Sequence, residues 1–97
     1  DARALRDAID RLKQQLGDVV VVLAGAQGGK VALAAGVGGA ALDRFKAGEL
    51  LAQVAARING KAGGRPDMAQ GGGDDGPALA GALQGVAGQV RAVLGQG

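Results

Sequence analysis

The stretch Val19-Val20-Val21-Val22-Leu23-Ala24-Gly25-Ala26-Gln27-Gly28-Gly29-Lys30-Val31-Ala32-Leu33-Ala34-Ala35-Gly36-Val37 decides the fold. Its first five residues form an unbroken run of β-branched and large apolar side chains. That run is too short for a free-standing helix and apolar on both faces, which reads as a central strand. The glycine-rich segment 25–29 reads as a turn. Beyond it Val31, Leu33, Ala35 and Val37 alternate with small or polar neighbours, the period of two that marks a second strand. So short a connection makes the two strands an antiparallel hairpin.

Upstream, Leu5, Ile9, Leu12 and Leu16 recur at steps of four, three and four, which places them on one stripe of a helix over 1–16. Gly17 stops it. Downstream, Gly38 and Gly39 break the strand, and 40–47, carrying Arg44 and Lys46, reads as a short helix or loop. From Gly48 onward Leu50, Leu51, Val54, Ala55 and Ile58 repeat at helical spacing, and Asn59 with Gly60 supplies a left-handed stop. The segment 61–67 reads as a basic, glycine-rich loop, and 68–72 as a short strand that pairs with the hairpin. Asp74 or Asp75 is placed to cap a last helix, with Pro77 near its first turn and Leu79, Leu83, Val86, Val90 and Val93 on its buried face, ending at Gly95. Gly81, Gly85 and Gly88 inside it cost about 0.8–1 kcal/mol each relative to Ala, and tight packing on the sheet is the expected offset. The expected architecture is α/β, a small mixed sheet of three to five strands with packed helices, forming a single domain over 1–97.

A chain of 97 residues has room for one small core. With 20 Gly and 21 Ala against 25 larger apolar residues, that core depends on close backbone approach. An apolar fraction of 47% and a net charge of only +2 exclude an intrinsically disordered segment. No Cys and no His occur, which removes disulfide frameworks, thiol and Ser/His catalysis and the common zinc sites. One Phe, with no Tyr or Trp, leaves no platform on which bases could stack. The first sixteen residues mix acidic and basic side chains, and no apolar run approaches the roughly 20 residues of a membrane span, so a soluble, cytoplasmic chain without membrane contact is expected. A start at Asp1 with helical periodicity already running by Leu5 reads as a fragment of something longer.

Three motif-like features have simpler readings. Gly36, Gly38 and Ala41 match dinucleotide-fingerprint spacing, yet the strand before them belongs to an antiparallel hairpin and no acidic residue follows about twenty positions on. Gly25-Ala26-Gln27-Gly28-Gly29-Lys30 is like a phosphate loop, but Ala24 stands at the first glycine position, Val31 at the magnesium-binding hydroxyl, and a strand follows instead of a helix. Asp74 and Asp75 are adjacent and do not converge on one atom as acid/base or metal chemistry requires. The segment Gly60-Lys61-Ala62-Gly63-Gly64-Arg65-Pro66-Asp67-Met68-Ala69-Gln70-Gly71-Gly72-Gly73 is different. Its glycines permit positive φ and close approach of backbone N–H groups to a ligand, and Lys61 and Arg65 add charge suited to phosphate. Anion contact and pure packing both remain open on these residues alone.

The same segment resembles the terminal signature of alanyl-tRNA synthetases. Val19 to Leu23, Gly36-Val37 and Asp43-Arg44-Phe45-Lys46-Ala47-Gly48-Glu49-Leu50 are similar to that family in the same order, so the resemblance covers nearly the whole chain. A related domain of the DHH-associated family follows the catalytic part of DHH-type phosphoesterases, where the glycine loop carries a His. Arg65-Pro66-Asp67 stands there in this chain, which favours the synthetase. The resemblance implies a non-catalytic C-terminal domain of a bacterial-type enzyme that charges tRNA with alanine. Such a domain contacts the outer corner of tRNA(Ala) and helps coordinate aminoacylation with editing.

ATP, magnesium and zinc are then expected only in the parent enzyme, with no cofactor, metal or catalytic residue in this chain. Lys61, Gly63, Gly64, Arg65 and Gln70 become the expected RNA contacts, with Lys30, Arg44 and Lys46 as outlying ones. The charges agree in sign, since residues 30–65 carry a net +4 while 66–97 hold only Arg91 against Asp67, Asp74 and Asp75. Without aromatic residues for stacking, contacts to phosphates and 2′-hydroxyls should dominate. The alternatives are an oligomerisation or docking module, in which helix 1–16 continues an upstream helix into a second copy or into other domains of the parent, and the substrate-binding domain of a DHH-type phosphoesterase.

Overall fold

In the structure, a computed structural model that describes residues 2–95, the opening hairpin consists of β1 (Val19–Gln27) and β2 (Lys30–Gly38). Pairing runs one-to-one from Val19↔Gly38 to Gln27↔Lys30, with no bulge. The turn is only Gly28-Gly29, shorter than the expected 25–29, and both glycines have positive φ, 61° and 83°. Two left-handed residues give the backbone twist that a two-residue hairpin needs.

The sheet has four strands. β4 (Met68–Asp74) pairs with the other edge of β2, and β3 (Lys61–Gly64) pairs with β4, giving the order β1-β2-β4-β3. All three pairings are antiparallel, so the sheet with its packed helices is present but its strand directions are not mixed. Links of two and three residues make β1–β2 and β3–β4 antiparallel hairpins, while the long crossover from β2 to β3 leaves room for β4 to insert between them, antiparallel to both. The segment 61–64, expected as loop, is strand because its backbone finds a ladder on β4. Lys-Ala-Gly-Gly carries no β-branched side chain to announce it. Val19 to Leu23 lies at the sheet edge, not its centre, and its apolar composition reflects helices above and below.

Those helices are α1 (Ala2–Leu16) on one face, and α2 (Ala47–Arg57) with α3 (Ala78–Gly95) on the other. Asp1, which the expected helix 1–16 includes, lies outside the described residues. A five-residue 3-10 turn, Gly39–Asp43, resolves the uncertain segment before α2. Gly17 (φ 72°) and Asn59 (φ 57°) end α1 and α2 in the left-handed conformation, as expected.

β2 sorts the two layers. Val31, Leu33, Ala35 and Val37 are buried against Leu50, Leu51, Val54 and Ile58 from α2 and its end, with Val86 of α3. The alternate positions Ala34, Gly36 and Gly38 face α1, whose Ile9 is fully buried. A Cβ at Gly36 would collide with Ile9 Cγ2 and lie 3.3 Å from Lys13 Cδ. Leu5 packs on this smaller core, whereas Leu16, placed on the same stripe by periodicity, is 60% exposed.

Gly81 and Gly85 of α3 face α2 instead of the sheet. The Arg57 guanidinium lies against them, its Nη1 donating to the Gly81 carbonyl at 3.0 Å, and a Cβ at either glycine would come within 3.3 Å of it. Gly88 borders open space, so no packing offsets its helix cost. Asp74 ends β4 and binds Lys30 Nζ at 2.6 Å, far from a helix-capping role. The hydrogen-bonded Lys30 ammonium, its charge and the Asn59 side chain together hold the Asp74 carboxyl below the usual carboxylate range.

Two outcomes follow from this packing. Gly36→Ala should destabilise the fold by about 1–3 kcal/mol in urea unfolding, because the added methyl overpacks the α1 interface. Ile9→Ala, which removes the Cγ2 that the new methyl meets, should cost less in the Gly36→Ala background than in the wild type. For Asp74, a lowered folded pKa means that its stabilisation is complete above the unfolded value of about 3.9 and is lost as pH falls through the folded value. An NMR titration should place the wild-type Asp74 carboxyl below about 3.9 and, in Lys30→Met, move it up toward that value.

Candidate nucleic-acid interface

β3 is the second edge of the sheet, and the turn after it, Arg65-Pro66-Asp67, is tied to three neighbours. Ala47 N donates to the Pro66 carbonyl at 2.8 Å, linking the turn to the start of α2. Val37 N (3.1 Å) and Lys13 Nζ (3.1 Å) both donate to the Asp67 carbonyl, linking it to β2 and α1. Arg65 N closes the hairpin on the Met68 carbonyl at 2.8 Å. A chain segment so rich in glycine is thereby held by backbone bonds rather than by side-chain burial.

Gly63, Gly64 and Arg65 are exposed and form a ridge between two shallow depressions. The first, about 230 Å³, lies toward α2 and is lined by Lys46, Gly48, Glu49 and Pro66. The second, about 300 Å³, lies toward α1 and is lined by Arg6, Met68, Ala69 and Gln70. Arg65 is 72% exposed in its side chain, with Nε 3.6 Å from Asp67 Oδ1. Lys46 precedes the first turn of α2 without a side-chain capping bond, and Glu49 sets a carboxylate beside it. The surface therefore offers Arg6, Arg65 and Lys46 around bare backbone, a shape that admits a polyanion strand lying across the sheet edge.

The expected contacts separate into groups. Lys46, Gly63, Gly64, Arg65 and Gln70 come together at this ridge. Gln70 already spends its amide on the Ala2 carbonyl at 3.3 Å. Lys61 is exposed at the far end of β3, three residues or about 10 Å from Gly64 along the strand. Lys30 sits beside the β1–β2 turn in its ion pair with Asp74, and the Arg44 Nη1 donates to the Val93 carbonyl of α3 at 3.2 Å. Neither lines the depressions at the ridge. Arg6 was absent from the expected set. It reads as one of several charges on the outer faces of α1, and only packing of α1 over the sheet brings it beside Arg65.

The two central glycines differ. Gly64 has φ 155°, and a Cβ there would meet the Met68 carbonyl oxygen at 2.5 Å and Ala69 Cα at 2.6 Å. Gly63 has neither positive φ nor any atom within 4 Å of such a Cβ. The chain lacks Cys and His, and among the described residues no three acidic groups come close enough to hold a metal.

A family model described as the DHHA1 domain matches residues 1–92. The alanine–tRNA ligase of Xanthomonas campestris pv. campestris (strain B100) is 68% identical over 95 residues, which is 98% of this chain and 11% of that protein. The corresponding ligase of Xanthomonas oryzae pv. oryzae (strain PXO99A) is 67% identical over the same length. The chain thus spans about a tenth of the length of the curated relatives it matches. The crystal structure of the C-Ala domain from Aquifex aeolicus alanyl-tRNA synthetase superposes with a TM-score of 0.79 at 32% identity, covering 87% of this chain and 76% of that one.

The geometry separates the glycines experimentally. Gly63→Ala should leave the melting curve unchanged, within about 0.5 kcal/mol. Gly64→Ala, strained in φ and clashing with β4 backbone, should cost about 1–3 kcal/mol by thermal or urea unfolding.

Proposed function

The chain belongs to the DHHA1 domain family, with the C-Ala fold of alanyl-tRNA synthetases, and from that membership we propose that it is the tRNA-binding, non-catalytic domain of an alanine–tRNA ligase. In this reading it holds tRNA(Ala) near the elbow of the L and so helps present the acceptor end for aminoacylation and editing, whose ATP-, magnesium- and zinc-dependent sites belong to the rest of a cytoplasmic parent enzyme. The observation that carries the reading is the exposed Gly63-Gly64-Arg65 ridge flanked by Lys46 and Arg6. Bare backbone lets a nucleic-acid strand approach closely, and three cations from three elements address its phosphates. Among the described residues no helix is long and apolar enough to cross a membrane.

Contacts of this kind read shape and backbone rather than bases, so discrimination among tRNAs should be low at this surface. The 68% identity with alanine–tRNA ligases supports the synthetase context over a DHH-type phosphoesterase. The second reading, self-association through α1, has one observation in its favour, the 60% exposure of Leu16. Against it, Ile9 of the same stripe is buried on the sheet. Sedimentation equilibrium separates the two: a dimer whose contacts include Leu16, in a chain that does not bind RNA, would replace the proposal. An NMR perturbation map with a tRNA(Ala) transcript tests it directly, with changes expected at Gly63 to Arg65, Lys46 and Arg6.

Lys61→Ala combined with Arg65→Ala should weaken tRNA binding while leaving the melting temperature nearly unchanged, since both side chains are exposed. In a salt titration the wild-type affinity should fall with a slope of about 0.7–0.9 per neutralised phosphate, and the double variant should have a shallower slope. A binding constant independent of salt, or unchanged in the double variant, would remove these residues from the interface.

A further inference from the structure

We propose that Asp67 is a positioning residue for Arg65 in the RNA interface and that Lys13 of α1 is its anchor. The inference rests on the RNA-binding reading above and goes beyond it, because it assigns a role in binding RNA to a carboxylate that charge alone would call unfavourable. Asp67 lies two residues after Arg65, with Oδ1 3.6 Å from Arg65 Nε and Oδ2 3.9 Å from Lys13 Nζ. Lys13 Nζ also donates to the Asp67 backbone carbonyl at 3.1 Å, so one ammonium hydrogen-bonds the main chain of this residue and lies within ion-pair range of its carboxylate.

Lys13 is itself held. Its aliphatic stem runs over Gly36 and Gly38, where an added Cβ would lie 3.3 Å from Cδ and 3.5 Å from Cε, and its side chain is only 22% exposed. The path leads from a packed stem on β2, through a partly covered ammonium and a half-exposed carboxylate, to a guanidinium that is 72% exposed. A long exposed side chain otherwise loses its rotamer freedom when it binds. A carboxylate set between the Lys13 ammonium and the guanidinium favours the Arg65 rotamers that keep the guanidinium over the ridge beside Gly63 and Gly64. The Asp67 carbonyl, by contrast, is bound by Val37 N and Lys13 Nζ whatever the side chain carries, so Asp67→Asn retains the turn.

Asp67→Asn gives the test its sign. Removing a negative charge beside phosphates should tighten binding if the surface acts by net charge alone. If Asp67 positions Arg65, binding of a tRNA(Ala) transcript should instead weaken by about two- to fivefold, the range open to an exposed ion pair. Its salt slope should also drop by part of one phosphate contact. A second readout needs no RNA: the Arg65 Nε–H chemical shift should be displaced from the average of exposed arginines in the wild type and should collapse toward it in Asp67→Asn. Lys13→Met, which keeps the stem but removes the ammonium, should shift the Arg65 resonance in the same direction. Wild-type binding with unchanged or tighter binding by Asp67→Asn, or an unaltered Arg65 resonance, overturns the proposal. A wild-type chain that binds no tRNA overturns the RNA-binding reading itself, and the interface role of Asp67 with it.

Discussion

The unequal faces of β2 set the layout of the molecule. One face carries Val31, Leu33, Ala35 and Val37 and supports a core thick enough for α2 and α3. The other is reduced to Ala34, Gly36 and Gly38, so α1 settles directly onto backbone, with Ile9 and the stem of Lys13 lying where side chains would otherwise be. This is how a chain with 41 Gly and Ala residues assembles two cores from 25 larger apolar side chains. Close approach substitutes for side-chain volume, and each such contact loses its complementarity if a methyl group is added.

The Gly63-Gly64-Arg65 edge of the sheet inherits its position from that layout. α1, drawn close over β2, carries Arg6 and Lys13 to the Arg65-Pro66-Asp67 turn, while α2 brings Lys46 and the Ala47 amide to the opposite side. The turn sits where three elements meet and is fixed by bonds to its carbonyls. Rigidity and exposure are compatible here because main-chain bonds hold the segment and leave Gly63, Gly64 and Arg65 open to solvent. Both would serve the proposed RNA-binding role, since preorganised donors lose little freedom on binding.

Much of this was legible in residue order. The hairpin, the helix stops at Gly17 and Asn59, and the strand beginning at Met68 follow from period, β-branching and turn residues. The ridge residues Gly63, Gly64 and Arg65 stood out through a glycine-rich segment with basic side chains, and the family resemblance pointed to the same place. β3 did not stand out, because Lys-Ala-Gly-Gly has no strand propensity and becomes strand only by pairing with β4. Arg44 and Lys30 stand apart from the ridge, the first donating to an α3 carbonyl and the second paired with Asp74, a placement that charge along the chain does not encode.

The sequence by itself determined the hairpin, the three helices with their stops at Gly17 and Asn59, the family, and the balance of charge that makes 30–65 basic, because these depend on neighbours within a few residues or on composition. Only the tertiary structure decided that Val19 to Leu23 forms an edge, that Gly81 and Gly85 accommodate Arg57, and that a Cβ meets β4 backbone at Gly64 but open space at Gly63. It also decided that Arg6 and Lys13 join Arg65 and Asp67 across more than fifty residues of chain. Such pairings arise from how close two backbones come and which carbonyl meets which donor, and no periodicity along a single strand or helix encodes either.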